Sequence, residues 1–243
     1  MNRILMTILT LFLLLSATTQ AGTPDLQVHG ALRAMFHQGQ TGTMVTLDKI
    51  SLSPLVYGVG AVADLNGEIT IVGGDVFLTY PGDDDGTYTE VSEQSNEGAC
   101  LLVTTEVMSW KIITTEKEIP FKKLDSEIAK LAKKAGLDPD SRFCFTMQGV
   151  FDDLQWHVID GRLLKDGGTS HKDHLAAAVT GKLDPVPATM IGFHSKTDQG
   201  VFTHKGSTTH IHFVTEEPLF SGHVDSVAIP AGTVISFSTE LEQ

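Results

Sequence analysis

The sequence predicts an α+β fold, β-rich and two-lobed, with mixed or antiparallel sheets and few helices. Three observations predict it. After Ser141, strand-like apolar runs recur about every 8–12 residues with turn residues between them, the spacing of an antiparallel sheet or barrel. Ahead of that point similar runs occur, but two segments instead carry apolar residues at helical spacing. The chain has 243 residues, of which 41% are hydrophobic, enough for one large core or two smaller ones.

The first stretch, "MNRILMTILTLFLLLSATTQAG", stands apart from that fold. One positive charge at Arg3 precedes an apolar run from Ile4 to Leu15, and small and polar residues follow up to Ala21. The run is shorter than the roughly 20 residues that span a bilayer. It reads as a secretory signal peptide, residues 1–21, cleaved after Ala21, which predicts a secreted or periplasmic protein with no membrane attachment after cleavage. No Cys follows the run to accept a lipid anchor. The formal net charge of −13 argues against nucleic acid and anionic membrane surfaces as partners.

The remainder divides into an N-terminal α+β lobe, residues 22–140, and a C-terminal β-rich lobe, residues 141–243. In "DLQVHGALRAMFHQG" the apolar positions Leu26, Val28, Ala31, Leu32, Met35 and Phe36 approximate a helical stripe that Gly39 ends. "MVTLDKI" fits a strand or a short helix. "YGVGAVADLNGEITIVGGDVFLTY" fits two or three strands turning at Asn66-Gly67 and Gly73-Gly74. "PGDDDGTYTEVSEQSNEG" is acidic and poor in apolar residues, so it reads as a solvated loop. Its triplet Asp83–Asp85 matches no calcium-loop spacing.

"GACLLVTTEVMSWKIITTEKEIP" is strand material. "FKKLDSEIAKLAKKAG" is the clearest helix, with Phe121, Leu124, Ile128, Leu131 and Ala132 on one face and Gly136 as its stop. Its lysines form the solvated face. The strands after Ser141 are "RFCFTMQGVF", "LQWHVIDGR", "PATMIGFHS", "THIHFVTE", "HVDSVAI" and "TVISFST". Cys100 and Cys144 lie in apolar strands and read as core thiols. An oxidising compartment would allow a disulfide if the strands brought their Cα atoms within about 7 Å.

Chemistry concentrates in "STTHIHFVTEEPLFSGHVD". In a strand, residues two apart project from the same face, so His210 and His212 point together. "PLFSG" reads as a turn-like connection, and a hairpin of that length brings His223 opposite the pair. Three imidazoles with a fourth position open would suit a catalytic zinc, but also copper, iron or nickel. Spacing alone leaves a structural histidine cluster equally open. His29, His37, His171, His174, His194 and His204 read as structural or exposed.

The surrounding sequence resembles the acetolactate decarboxylase family. "MIGFHSKTDQGVFTHKGSTTHIHFVTEEPLFSGHVDSVAI" carries the family's Gly-Phe segment, its H-x-H-F and its later Gly-His. "YGVGAVADLNGEI" is similar to the family's G-x-G-T-F-x-x-L-D-G-E block, and "FTMQGVFDDLQWHV" to its I-x-G-x-F strand. "LQVHGALRAMFHQGQTGTMVTLDKI" looks like its N-terminal helix and the segment after it. The resemblance implies an acetolactate-decarboxylase-like fold and one Zn2+ per chain held by His210, His212 and His223. It implies conversion of acetolactate, a small-molecule 2-hydroxy-3-oxo acid, to acetoin and CO2. No organic cofactor is needed, since the metal acts as Lewis acid. Glu68 of "LNGE" takes the family's proton-donor position, and a homodimer is the family's common form.

Three positions depart from the family pattern. His157 stands where the family has a substrate-contacting arginine, and it lacks the bidentate fork that suits a carboxylate. Ala61 replaces a Thr, and Asn66 an Asp. A second glutamate, which the family brings from a longer C-terminal tail, has no aligned counterpart.

Overall fold

The computed structural model describes residues 22–83, 86–92, 95–164 and 171–240. The expected signal peptide, with Asp84 and Asp85 of the acidic triplet, lies outside the described residues. The first sheet takes β1 (Gln27–His29), β2 (Val45–Thr46), β3 (Val56–Val62), β4 (Glu68–Val72), β5 (Asp75–Pro81), β6 (Thr87–Ser92) and β7 (Gly98–Glu106). Its order is β1-β7-β3-β4-β5-β6, with β2 also paired to β7. The second sheet takes β8 (Ser109–Thr114), β9 (Phe143–Phe151), β10 (Leu154–Ile159), β11 (Ala178–Leu183), β12 (Val186–His194), β13 (Thr209–Glu216), β14 (Leu219–Ser226) and β15 (Val234–Thr239). Its order is β11-β10-β14-β13-β12-β9-β15-β8, and every strand pair in both sheets is antiparallel.

The chain crosses from one sheet to the other after Glu106. The lobe boundary expected at residue 140 therefore falls inside the second layer, because β8 pairs with β15. Helix α2 (Leu124–Lys134) belongs there too: Leu124, Ile128 and Ala132 pack on Phe143, Phe145, Met147, Ile211 and Phe213. Phe121 leaves the predicted stripe and remains exposed in a short 3-10 turn ahead of the helix. The far face of the first sheet is covered by the segment around Leu47, which packs on Ile69, Ile71 and Leu78. Between the sheets, Val59 and Val103 meet Ile191, Phe193 and Val214.

Helix α1 (Leu32–Gln38) is shorter than the stripe from Leu26 suggested. Leu26 and Val28 belong to the segment around β1, and Gly30, at φ 79°, breaks the chain between strand and helix. Alternation over so few residues suits both periods, and pairing with β7 decides it. Gly39 does end the helix in a left-handed conformation. The stretch read as an acidic loop contains β6, an edge strand whose low apolar content reflects its exposure. Gly73-Gly74 makes the expected two-residue hairpin, both residues at positive φ. The Asn66-Gly67 turn is longer, running through the 3-10 turn Ala63–Leu65.

The two cysteines sit in different sheets, and both are free and buried. The Cys100 thiol donates to the Val62 carbonyl at 3.2 Å, and burial pushes its pKa up to about 12. Burial also raises the Cys144 thiol far above its ordinary value. The disulfide that an oxidising compartment would permit is therefore not formed. Both thiols should be silent to Ellman's reagent in the native protein and both should react in guanidinium; a native reaction of either one contradicts this packing.

Candidate metal centre and active site

One hairpin sets the histidines in line. Only Glu217 and Pro218 separate β13 from β14, and Glu216 pairs with Leu219. Counting back from that turn puts His212 directly opposite His223. "PLFSG" is therefore mostly strand, rather than the turn its Pro and Gly suggested. β10, on the other side of β14, sets His157 opposite His223. Three imidazoles thus stand abreast on three neighbouring strands, with ring centroids 5.5 Å apart for His212–His223 and 4.4 Å for His157–His223. His210 joins them two residues along β13, at 5.0 Å from His212 and 5.1 Å from His223.

This row faces the gap between the sheets, because the alternate residues Ile211 and Phe213 are taken by the core under α2. Glu68 and Thr70 project from β4 to meet it. Thr70 Oγ1 lies 3.0 Å from His212 Nδ1. The Glu68 carboxylate reaches His212 Nε2 at 3.6 Å and His157 Nε2 at 3.8 Å. Gly67 lets β4 begin so close to β5: a Cβ there would stand 2.2 Å from the Thr79 carbonyl, and its φ is 126°. Glu68 Oε1 also accepts the Ile159 N–H at 3.1 Å. On the helix side, Asp125 of α2 accepts the Thr208 N–H at 2.9 Å and the Thr209 hydroxyl at 2.6 Å, which ties down the start of β13.

All five residues singled out in the sequence, Glu68, His157, His210, His212 and His223, therefore converge. Two further residues join them. Asp225, two residues beyond His223 and on the same face, lies 2.6 Å from His157 Nδ1 and 3.6 Å from His223 Nδ1. The alternation in "HVD" could have pointed to it. His204, read as structural or exposed, lies at the mouth instead, 5.6 Å from His223 and 6.1 Å from His210. Its loop folds back over α1, a tertiary contact that sequence spacing does not encode. His194 is structural, stacked on Phe143 with ring centroids 4.5 Å apart, and His37 is exposed. His171 and His174 fall in α3 (His171–Ala176), and their side chains lie outside what is described.

Burial sets the charge states. It pushes the Glu68 carboxyl up to about 7, against the opposing pull of His157. It also drives His210 and His212 well below the ordinary imidazole range, and neighbouring imidazoles add to that fall. Burial works against charge on His157 as well, but the Asp225 hydrogen bond and Glu68 outweigh it, so its pKa is raised. Asp225 is held well below the usual carboxylate range: burial alone would raise it, and the bonds from His157 and His223 prevail.

These states suit a metal. Neutral imidazoles are ligands, protonated ones are not. Nε2 of His210 and Nε2 of His212 lie 3.2 Å apart. Two nitrogens on one tetrahedral zinc would lie about 3.3 Å apart. Among the described residues, the three ligand atoms that all lie within 4.8 Å of one another are those of His157, His223 and Asp225, a set that leaves out His210 and His212. Around them lies a small cavity walled by Leu32, Met35, Ala61, Leu65, Leu101 and Ile159.

The alpha-acetolactate decarboxylase family profile matches residues 32–240. The chain belongs to this family. Its fold is similar to that of an alpha-acetolactate decarboxylase from Bacillus subtilis strain 168, at 16% identity, with a TM-score of 0.69 over 89% of this chain and 86% of that one. A Staphylococcus aureus protein of unknown function, described as similar to alpha-acetolactate decarboxylase, has a TM-score of 0.67 at 14% identity over 88% of this chain and 85% of that one. No curated protein matches the chain by sequence. Among the described residues, the inner cavity is lined by neither Lys nor Arg, and His157 faces it.

Keeping Glu68 ionised in this site costs on the order of 3 kcal/mol. Because its folded pKa is raised, that stability is present below the ordinary carboxylate value and lost as pH rises through about 7. In metal-free protein, Glu68→Gln should raise the unfolding temperature at pH 8 by roughly 5–10 °C and change it little at pH 4. Identical melting curves at pH 8 would show that burial does not burden this carboxylate.

Proposed function

We propose that the chain is a zinc-dependent decarboxylase of 2-acetolactate, or of a related 2-hydroxy-3-oxo acid, releasing CO2 and acetoin. The observation that carries this reading is a buried carboxyl with a pKa of about 7, Glu68, beside the neutral imidazoles of His210 and His212 within a chain of this family. His210, His212 and His223 would hold the zinc, with the His223 Nδ1 turned to Asp225 as a carboxylate behind a ligand often is. Bound there, zinc supplies a Lewis acid beside the bond that breaks.

The chain's own residues do the rest. The apolar walls exclude water and disfavour a carboxylate relative to neutral CO2. As the bond to the carboxylate breaks, its electron pair stays with the substrate, and that carbon must regain one proton. Glu68 holds such a proton near neutrality and stands at the cavity's edge to deliver it. Asp225 is a positioning residue that fixes the His157 ring, so that Nε2 points at Glu68 and the substrate space.

A second reading, the same scaffold acting on another or less anionic substrate, is favoured by one observation: among the described residues, no guanidinium lines the inner cavity. The apolar N-terminal segment supports export to the periplasm or beyond the cell.

Purified protein given acetolactate should release acetoin, and a chelator should stop it. His212→Ala should lose both zinc and turnover. Glu68→Gln should keep zinc while kcat falls about 10²–10⁴-fold. Tight zinc with no acetoin would move the assignment to another substrate, and full zinc occupancy in His212→Ala would overturn the ligand set.

A further inference from the structure

A cleft adjoins the inner cavity on the side of α1. Arg33 and His37 are four residues apart and so share a helix face, while Leu32 and Met35 are buried against the cavity wall. Lys205 follows His204 in the loop that carries both. Arg33, His37 and Lys205 line the cleft together with Gln199 and Gly200. Cleft and inner cavity share Leu32, Phe36 and His204 as walls. Two backbone bonds hold helix and loop together, Leu32 N–H to the Val201 carbonyl at 2.8 Å and Arg33 N–H to the Gly200 carbonyl at 2.7 Å. The partition between the two spaces is the stacked pair Phe36 and His204, 6.2 Å between ring centroids and 19° from parallel.

The charge of this cleft runs against that of the chain. The whole sequence carries a formal −13, which repels an anion at long range. Among the described residues, the inner cavity has no Lys or Arg in its lining. The groove on the other side of His157 has Lys182, but that lysine is paired with both Asp153 and Asp184, and Asp225 lines the same groove. Among the described residues, the α1 cleft is lined by no Asp or Glu, and neither Arg33 nor Lys205 is paired with a carboxylate. It is the cationic approach to the site.

We infer that the cleft lined by Arg33, His37 and Lys205 is an anion-recruiting entrance, which draws a small carboxylate ligand to the Phe36–His204 partition and so to the inner cavity. This rests on the reading that the inner cavity takes a carboxylate. It assigns to exposed residues outside the cavity the attraction that no Lys or Arg among the described lining residues supplies. A focused positive cleft raises the encounter rate and local concentration of an anion, and salt screens the effect.

The test is binding, so it does not depend on turnover. The protein as purified is titrated by calorimetry with 2-hydroxyisobutyrate and, separately, with the neutral 2-hydroxyisobutyramide. At low salt, the double variant Arg33→Gln/Lys205→Gln should bind the anion about tenfold more weakly and the amide with unchanged affinity. The wild type should lose a similar factor for the anion in about 0.5 M salt. Each single variant should fall between the wild type and the double variant, which guards against one substitution acting through the fold. Equal affinity of wild type and double variant for the anion at low salt would overturn the inference. So would an amide weakened as much as the anion, or a wild type that binds neither. Charge-dependent anion binding without acetoin release from acetolactate supports the entrance and removes only the decarboxylase assignment.

Discussion

A two-residue connection, Glu217-Pro218, is the constraint on which the site depends. It leaves β13 and β14 one register, and that register sets His212 against His223. Because side chains alternate along a strand, a slip of one residue would turn His210 and His212 into the core under α2 and bring Ile211 and Phe213 into the site. The apolar face opposes such a slip: Ile211 and Phe213 are bound into the same core as Phe143, Phe145 and Ile128. The histidine face and the packing face are thus two sides of one strand, each holding the other in place.

The second feature is what the sheets exchange where they meet. At one end they join through Val59, Val103, Ile191 and Phe193, an ordinary apolar contact. Towards the other end the contact becomes polar, with Thr70 against His212, Thr79 against Ser221 at 2.6 Å, and Glu68 among the imidazoles. Burying so many titratable groups is costly, and the apolar cores on the outer faces of both sheets offset it. The raised pKa of Glu68 and the depressed pKa values of His210 and His212 are that cost expressed in protonation. It also leaves the groups in the states that the proposed metal binding and proton delivery would require.

Much of this was legible in the residues. The H-x-H alternation announced a shared face, and the strands after Ser141 were readable because their apolar runs and turns follow the antiparallel period. Helix α2 was equally plain from Leu124, Ile128 and Ala132. Other elements misled for physical reasons. β6 looks like a loop because an edge strand needs little apolar surface, and Leu26 and Val28 look helical because short stripes fit two periods. "PLFSG" looks like a turn because its Pro and Gly are local signals, whereas pairing with β13 is not.

The sequence by itself determined the strand-rich α+β class, the histidine pair on one face of β13, and enough of the family's motifs to name Glu68, His157 and His223. Those follow from local alternation and from residue identity, both of which are written along the chain. Only the tertiary structure decided that His157 would stand beside His223, that Asp225 would fix it, that His204 would close the mouth, and that Cys100 and Cys144 would sit in separate sheets. Each of these depends on contacts between segments far apart in sequence, and their registers are set by packing rather than by composition.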